Sequence, residues 1–401
     1  MPVLRQEDEK GMGKGRQGNP EARYRYSAED QTVKPATKRV FTLFRTGAVM
    51  LIYGGMRTIY DFTLPETEDL LKAHGQKPYR ARQLYNWLYR KRAESFEEMS
   101  DLPAALQKEL AEEFFIMPVK LIDKQVARDL TAKYLFELAD GSTVETVLMH
   151  FNFGKSVCVS TQVGCNMGCA FCASGLLKKK RDLTAGEIVG QIMYIQKELD
   201  AVNERVDNVV VMGTGEPFDN YENVMNFCAV INSDHGLAIG ARHITISTCG
   251  IVSMIRRFAQ GHYQYNLAIS LHAPTDELRR QLMPVDRAYP LDELMDALKE
   301  YSEGNHRRLT FEYILLKDVN DSDDHARQLA DLVRGMNAYI NLIPYNEVSE
   351  NGFFTSGERR ALHFYDVIMK NGVKATLRSR HGDDIDAACG QLRARHEGIS
   401  Q

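Results

Sequence analysis

Between residues 155 and 345 a short apolar run is followed by an amphipathic helical pattern, and the alternation repeats six times. The apolar runs fall at 157–160, 208–213, 243–248, 266–271, 309–316 and 339–344, with helical patterns such as 184–199, 221–232, 291–301 and 323–336 between them. Apolar strands separated by amphipathic helices imply a parallel sheet with helices outside. Six such units fall short of a closed eight-stranded barrel, so the expected fold is α/β, a partial six-stranded barrel. Chemistry in such folds sits at the C-terminal ends of the strands, which selects the motifs worth reading.

Cysteine usage points to the first strand end. The chain has seven cysteines, and four crowd into 158–172. A secreted disulfide framework spreads an even number along the chain, whereas clustered cysteines in a reducing compartment suggest metal or redox chemistry. Cys165, Cys169 and Cys172 are spaced three and two residues apart just past the first strand. Three thiolates on one loop can each hold a corner of a [4Fe–4S] cluster and leave one iron open. That iron can chelate the amino and carboxylate groups of S-adenosylmethionine, whose reductive cleavage releases a 5′-deoxyadenosyl radical. The alternative is a structural zinc with Cys158 as fourth ligand, but zinc sites usually pair two cysteine knuckles and no second one is present.

Other strand ends carry polar groups. Gly213-Thr214-Gly215-Glu216-Pro217 closes the second strand; glycine lets a ligand approach the backbone, and Glu216 can accept from a cationic amino group. An ordinary tight turn is the plainer alternative. Ser247 lies at the end of the third strand, Ser270-Leu271-His272 on the fourth, and Asn346 just past the sixth. Each alone would serve as a cap or a satisfied core group; around one cluster they make a pocket for a polar nucleoside. Cys389, within Gly382–Leu392, sits on a short acidic loop where a lone cysteine reads either as a buried hydrophobe or as an exposed reactive thiol. Cys158 is the comparable partner near the site, and Cys228 and Cys249 are assigned to packing.

The flanks organise around this core. Residues 1–55 lack apolar periodicity and are expected to be a disordered extension, with the native start at or near Met56; a flexible basic arm is the alternative. Residues 56–118 read as a small helical accessory domain. Its Lys77, Arg80, Arg82, Arg90, Lys91 and Arg92 interleave with Tyr79, Tyr85, Trp87 and Tyr89, giving either a solvated helix face or an RNA-binding one. The third helix is expected to run from Ala104 to Phe115. Residues 119–154 contain strand patterns at 134–138 and 144–149 around Asp140-Gly141, a hairpin signal, read as a linker. Residues 346–401 form a C-terminal extension.

Together Cys165–Cys172, Gly213–Pro217, Glu145 and Asp383–Leu392 resemble the dual-specificity radical S-adenosylmethionine methyltransferases that make 2-methyladenosine in 23S rRNA and certain tRNAs. The resemblance runs from about Met56 to Arg395 and implies a radical S-adenosylmethionine barrel. It implies that one S-adenosylmethionine methylates Cys389 and that a second, cleaved at the cluster, generates a radical on that methyl group. The carbon then adds to adenine C2 as a covalent protein–RNA adduct. Glu145 is the implied proton acceptor, and Cys158 releases product by forming a disulfide with Cys389. The implied cofactor contacts are Gly215, Glu216, Ser247, Ser270, Leu271, His272 and Asn346, and the implied electron donor is a flavodoxin or ferredoxin. A sister family methylates C8 of the same rRNA adenosine and confers antibiotic resistance; Pro217 and the 242–250 segment favour C2. A non-enzymatic iron–sulfur RNA-binding or redox-sensing protein is the reading from another class.

Bulk properties limit the partners. Net charge is −4, with residues 1–50 at +4 and the remainder at −8. Contact with RNA phosphate therefore needs a local patch, and Lys178-Lys179-Lys180-Arg181 beside the cysteine loop is the first place to look, a solvated loop being the alternative. No apolar run approaches the roughly 20 residues of a membrane span and no secretory signal precedes the fold, so a cytoplasmic monomer is expected.

Overall fold

The computed structural model describes residues 56–305, 307–378, 385, 391–396 and 398. The expected extension at 1–55 and the Cys389 loop lie outside them. In chain order the elements are β1 (Arg57–Thr58), α1 (Leu64–Ala73), α2 (Tyr79–Asn86), α3 (Ala104–Glu113), β2 (Phe114–Phe115), β3 (Val119–Val126), β4 (Ala132–Leu138), β5 (Thr143–Phe151), β6 (Gly154–Cys158), β7 (Gln162–Val163), β8 (Arg181–Asp182) and α4 (Ala185–Asp200). They continue as β9 (Val206–Val211), α5 (Tyr221–Asn232), β10 (Ile244–Thr248), α6 (Val252–Gln260), β11 (Asn266–Ser270), α7 (Asp276–Leu282), α8 (Leu291–Gly304), β12 (Leu309–Leu315), α9 (Asp323–Leu332), β13 (Ala338–Pro344), α10 (Glu358–Lys370), β14 (Ala375–Leu377) and α11 (Gln391–His396).

One ten-stranded sheet in the order β14-β13-β12-β11-β10-β9-β6-β5-β4-β3 carries the molecule. The six expected strands are present and parallel, and β14 adds a seventh. The hairpin expected as a linker is instead continuous with the sheet: β5 pairs antiparallel with β6, and β4 and β3 follow. A parallel strand at the sheet edge would expose its backbone groups, and these three strands cover it. Among the described residues β14 and β3 do not pair with each other.

Helix α4 holds the sheet to its flank. Its Gln191 accepts from Thr146 Oγ1 at 2.8 Å and from the Ser160 N–H at 2.9 Å, and donates to the Ser160 carbonyl at 3.0 Å. This fixes β5 against the stretch that leads into the cysteine loop.

The N-terminal helices start with local signals: Thr63 and Glu66 form a capping box on α1, with Pro65 in the first turn. Helix α3 stops two residues before Phe115, because Phe114 and Phe115 form β2 and pair with Arg57 and Thr58. Helix α2 passes into a π-turn at Trp87–Lys91 that ends at Arg92, whose φ is +59°.

The basic residues of this domain divide into two groups. Arg92 pairs with Asp200 of α4 at 3.0 Å, and Arg90 donates to the Asp234 carbonyl at 2.8 Å. These two dock the helical domain onto the barrel rather than facing a ligand, while Lys77, Arg82 and Lys91 are exposed.

Close approach at Gly186 completes the docking. The Gly186 N–H donates to Asp61 Oδ1 at 2.9 Å, and a Cβ there would stand 2.4 Å from Thr58 Cγ2 and 2.7 Å from the Asp61 nitrogen. Alanine is the better helix former by about 1 kcal/mol, yet Gly186→Ala should destabilise the protein by about 1–3 kcal/mol through overpacking. Denaturant unfolding checks this; a stabilised variant would contradict the close contact.

Candidate active site at the C-terminal ends of the parallel strands

A cavity of about 400 Å³ opens where the parallel strands end. The cysteine loop forms one side and is fixed at its base by β7 and β8, where Gln162 pairs with Asp182 and Val163 with Arg181. The Cys165 N–H donates to the Leu177 carbonyl at 2.9 Å and the Lys180 N–H to the Val163 carbonyl at 2.7 Å. Across the cavity, the Ala170 N–H donates to the Leu282 carbonyl at 2.9 Å and the Tyr345 hydroxyl to the Phe171 carbonyl at 3.1 Å.

Cys165, Cys169 and Cys172 all line this cavity. Burial pushes the Cys165 thiol up to about 12, Cys169 well above the ordinary thiol range, and Cys172 upward. Neighbouring cysteines and the Glu216 carboxylate push Cys165 and Cys169 further the same way. Three thiolates at such a place require a cationic centre to hold them ionised, which is what an iron–sulfur cluster supplies. Among the described residues no three or more His, Cys, Asp or Glu side chains close on a single metal ion.

The turn after β9 is bound into the cavity wall. Gly215 has φ +114°, and a Cβ there would lie 2.7 Å from Thr161 Oγ1, so the turn requires glycine both for conformation and for space. Glu216 is 4% exposed. Its Oε1 accepts from the Phe218 N–H at 3.0 Å and its Oε2 from the Cys249 N–H at 2.8 Å. Burial raises its carboxyl and these backbone bonds oppose the rise. Buried Arg279 holds the Cys249 carbonyl at 2.6 Å and pairs with Asp286 at 3.2 Å, so Cys249 is part of the wall and not mere packing. Cys228 is fully buried in α5.

Ser247, Ser270, His272, Asn346 and Cys158 also line the cavity. The Ser247 and Ser270 hydroxyls are 3.4 Å apart. His272 has φ +59°, an uncommon conformation for a non-glycine residue. Its Nδ1 accepts from the Ile314 N–H at 3.1 Å, and burial together with Arg279 lowers its pKa to about 3, so the ring is neutral with its proton on Nε2. Leu271 is buried and does not line the cavity; its N–H donates to the Glu312 carbonyl at 3.1 Å.

Glu145 is likewise absent from the lining. Its Oε2 is 3.1 Å from Lys133 Nζ, and its Oε1 accepts from the Arg393 N–H at the start of α11 at 2.6 Å. Lys133 is fully buried and does line the cavity. Lys133, Glu312 and Arg378 are cavity residues that sequence reasoning missed, although a charged residue inside an apolar strand, as at Lys133 and Glu312, was a signal.

The 178–181 basic run also splits. Lys179 Nζ lies 2.7 Å from both Asp182 and Asp219. Arg181 lies 2.7 Å from both Asp140 and Glu187, tying the hairpin turn to α4. Lys178 and Lys180 stay exposed at the edge of the loop.

Comparison with known proteins places this arrangement. Residues 159–330 match the radical SAM superfamily, and residues 58–116 match the ribosomal RNA large subunit methyltransferase N-terminal domain. The chain is 56% identical over 343 residues to a probable dual-specificity RNA methyltransferase RlmN of Enterococcus faecalis, covering 84% of this chain and 96% of the relative. It is 52% identical over 350 residues to the protein of that name from Geobacillus thermodenitrificans, covering 87% and 96%. The crystal structure of a radical SAM methyltransferase from Sphaerobacter thermophilus superposes with a TM-score of 0.80 at 42% identity, covering 84% of this chain and 98% of that one. The chain therefore belongs to the RlmN family of dual-specificity RNA methyltransferases within the radical SAM superfamily.

Proposed function

We propose that this protein methylates C2 of an adenosine in 23S rRNA and in tRNAs, with Cys389 as methyl carrier and Cys158 as the thiol that releases product. The observation that carries the reading is the convergence of Cys158, the three loop cysteines and the strand-end polar groups on one cavity. The relatives' printed name, a dual-specificity RNA methyltransferase, supports an RNA substrate.

Cys165, Cys169 and Cys172 fit a [4Fe–4S] cluster and would hold it with one iron free of protein ligands. When bound, that centre and S-adenosylmethionine supply the one-electron chemistry that an unactivated adenine carbon needs, drawing electrons from a flavodoxin- or ferredoxin-type donor. The chain's own residues do the rest. Gly215 and Glu216 bind the methionine end, Ser247, Ser270, His272 and Asn346 orient the nucleoside, and Leu271 supports Ser270 and His272 from behind. Neutral His272 presents a hydrogen-bond donor without adding charge. Two S-adenosylmethionine molecules are used per turnover, one of them to methylate Cys389.

Cys389 joins the RNA as a thioether: its S-methyl group gives a hydrogen atom to the 5′-deoxyadenosyl radical, and the adenine gives its C2 proton to Glu145 and one electron back to the bound centre, with Lys133 holding the Glu145 carboxylate beside the cavity. The Cys158 thiolate then attacks the Cys389 sulfur. The sulfur–sulfur bond forms as the Cys389 sulfur–carbon bond breaks, the electron pair and the proton taken up by Glu145 pass to the product carbon and complete its methyl group, and a thiol reductant reopens the disulfide. Cys158 is 7% exposed and lines the cavity at the end of β6, where a thiol with this task belongs. The exposed Lys178 and Lys180 supply the local positive charge that the acidic body of the chain lacks.

Nucleoside analysis of RNA treated with the reconstituted enzyme should yield 2-methyladenosine; 8-methyladenosine would assign the chain to the sister C8 chemistry. Cys158→Ala should accumulate a protein–RNA species that survives denaturing electrophoresis, whereas Cys389→Ala should give neither adduct nor methylated product. Full turnover by Cys389→Ala would remove the methyl-carrier reading.

A further inference from the structure

Of the six parallel strands expected from the sequence, β12 is the one to which sequence motifs assign no ligand contact, and it places a carboxylate in the cavity. Glu312 sits between Ser270 and Asn341, its register partners on β11 and β13. The three side chains therefore leave the same face of the sheet, and Ser247 extends the row through its 3.4 Å contact with Ser270. Glu312 and both serines line the cavity.

The two oxygens of Glu312 differ. Oε1 accepts from Asn341 Nδ2 at 3.1 Å, which fixes the carboxyl plane. Oε2 is buried without a hydrogen-bond partner among the described residues, and its nearest cation, Arg378 Nη1, is 3.9 Å away. A residue only 4% exposed with one acceptor unfilled carries the desolvation cost of that oxygen. Burial pushes the carboxyl upward, and Arg378 opposes the rise.

We propose that Glu312 Oε2 accepts a ribose hydroxyl of the nucleoside bound in the cavity. Arg378 disfavours an ammonium group there, so the donor is neutral. Hydroxyls both donate and accept, which complements a carboxylate beside two serine hydroxyls; a carboxylate on a ribose hydroxyl is a recurrent solution in nucleotide-binding folds. Ile314 and Ile343, one pleat further along β12 and β13 and also in the lining, give an apolar surface suited to the base. The inference rests on the nucleoside chemistry of the preceding section and adds the residue that reads the sugar. The hydroxyl can come from S-adenosylmethionine, which has a free 2′,3′-diol, or from the target adenosine, which within RNA has only its 2′-hydroxyl.

Equilibrium dialysis on the reconstituted holoenzyme tests this with S-adenosylhomocysteine and its 2′-deoxy and 3′-deoxy analogues. A second arm uses an RNA hairpin presenting the target adenosine with and without its 2′-hydroxyl. In one arm, wild type should bind the deoxy ligand about ten- to a hundred-fold more weakly than its parent, the span of a hydrogen bond to a charged group. Glu312→Gln should weaken the parent by a similar factor and abolish the discrimination in that same arm, which identifies the source of the hydroxyl. Wild type that binds deoxy and parent ligands equally in both arms overturns the inference, independently of whether the variant folds, as does a folded Glu312→Gln that still discriminates. If S-adenosylhomocysteine does not bind wild type at all, the functional reading falls with it; if it binds without discrimination in either arm, only the role of Glu312 falls.

Discussion

Cys165, Cys169 and Cys172 share one loop, and burial makes each costly to ionise there, so a cluster held by their thiolates would have to supply the positive charge that offsets this cost. The surrounding contacts hold that loop in place. The β7–β8 ribbon closes its base, Leu282 and Tyr345 grip it from across the cavity, and Gln191 of α4 secures the chain that enters it. Arg279 fixes Cys249, Cys249 fixes Glu216, and Glu216 caps the turn beyond β9. The site is thus built from residues locked by their neighbours, as positional accuracy in radical chemistry demands.

Charge is distributed with the same economy. Arg90 and Arg92 seat the helical domain on the barrel, Lys179 bridges two aspartates, and Arg181 joins the hairpin to α4. Among the described residues, the cations left exposed by the cysteine loop and on the helical domain include Lys178, Lys180, Lys77, Arg82 and Lys91. Among the described residues no helix is long and apolar enough to cross a membrane.

The parallel core was legible because apolar strands and amphipathic helices differ in period, and the strand-end rule then picked out Ser247, Ser270, His272 and Asn346. Strand β14 was not, because three residues carry no periodic signal. The partners of Arg92, Arg90 and Arg181 were not, because they lie 108, 144 and 41 residues away in sequence. Lys133 and Glu312 stand inside apolar strands, and a period-two reading passes over a single inward charge. Glu145 was selected by family resemblance, and the geometry adds what resemblance could not: a lysine on one oxygen and the start of α11 on the other. Cys389 lies outside the described residues, so its part rests on sequence alone.

In the proposed site Cys165, Cys169 and Cys172 hold a cluster with one iron available to S-adenosylmethionine. Anaerobic reconstitution with iron and sulfide, followed by metal analysis and electron paramagnetic resonance of the reduced protein, tests it most directly. The expected result is about four irons and four sulfides per chain, a reduced-cluster signal that shifts when S-adenosylmethionine is added, and loss of both in Cys169→Ala. A single tightly bound zinc per chain, or a cluster whose signal ignores S-adenosylmethionine, would contradict it.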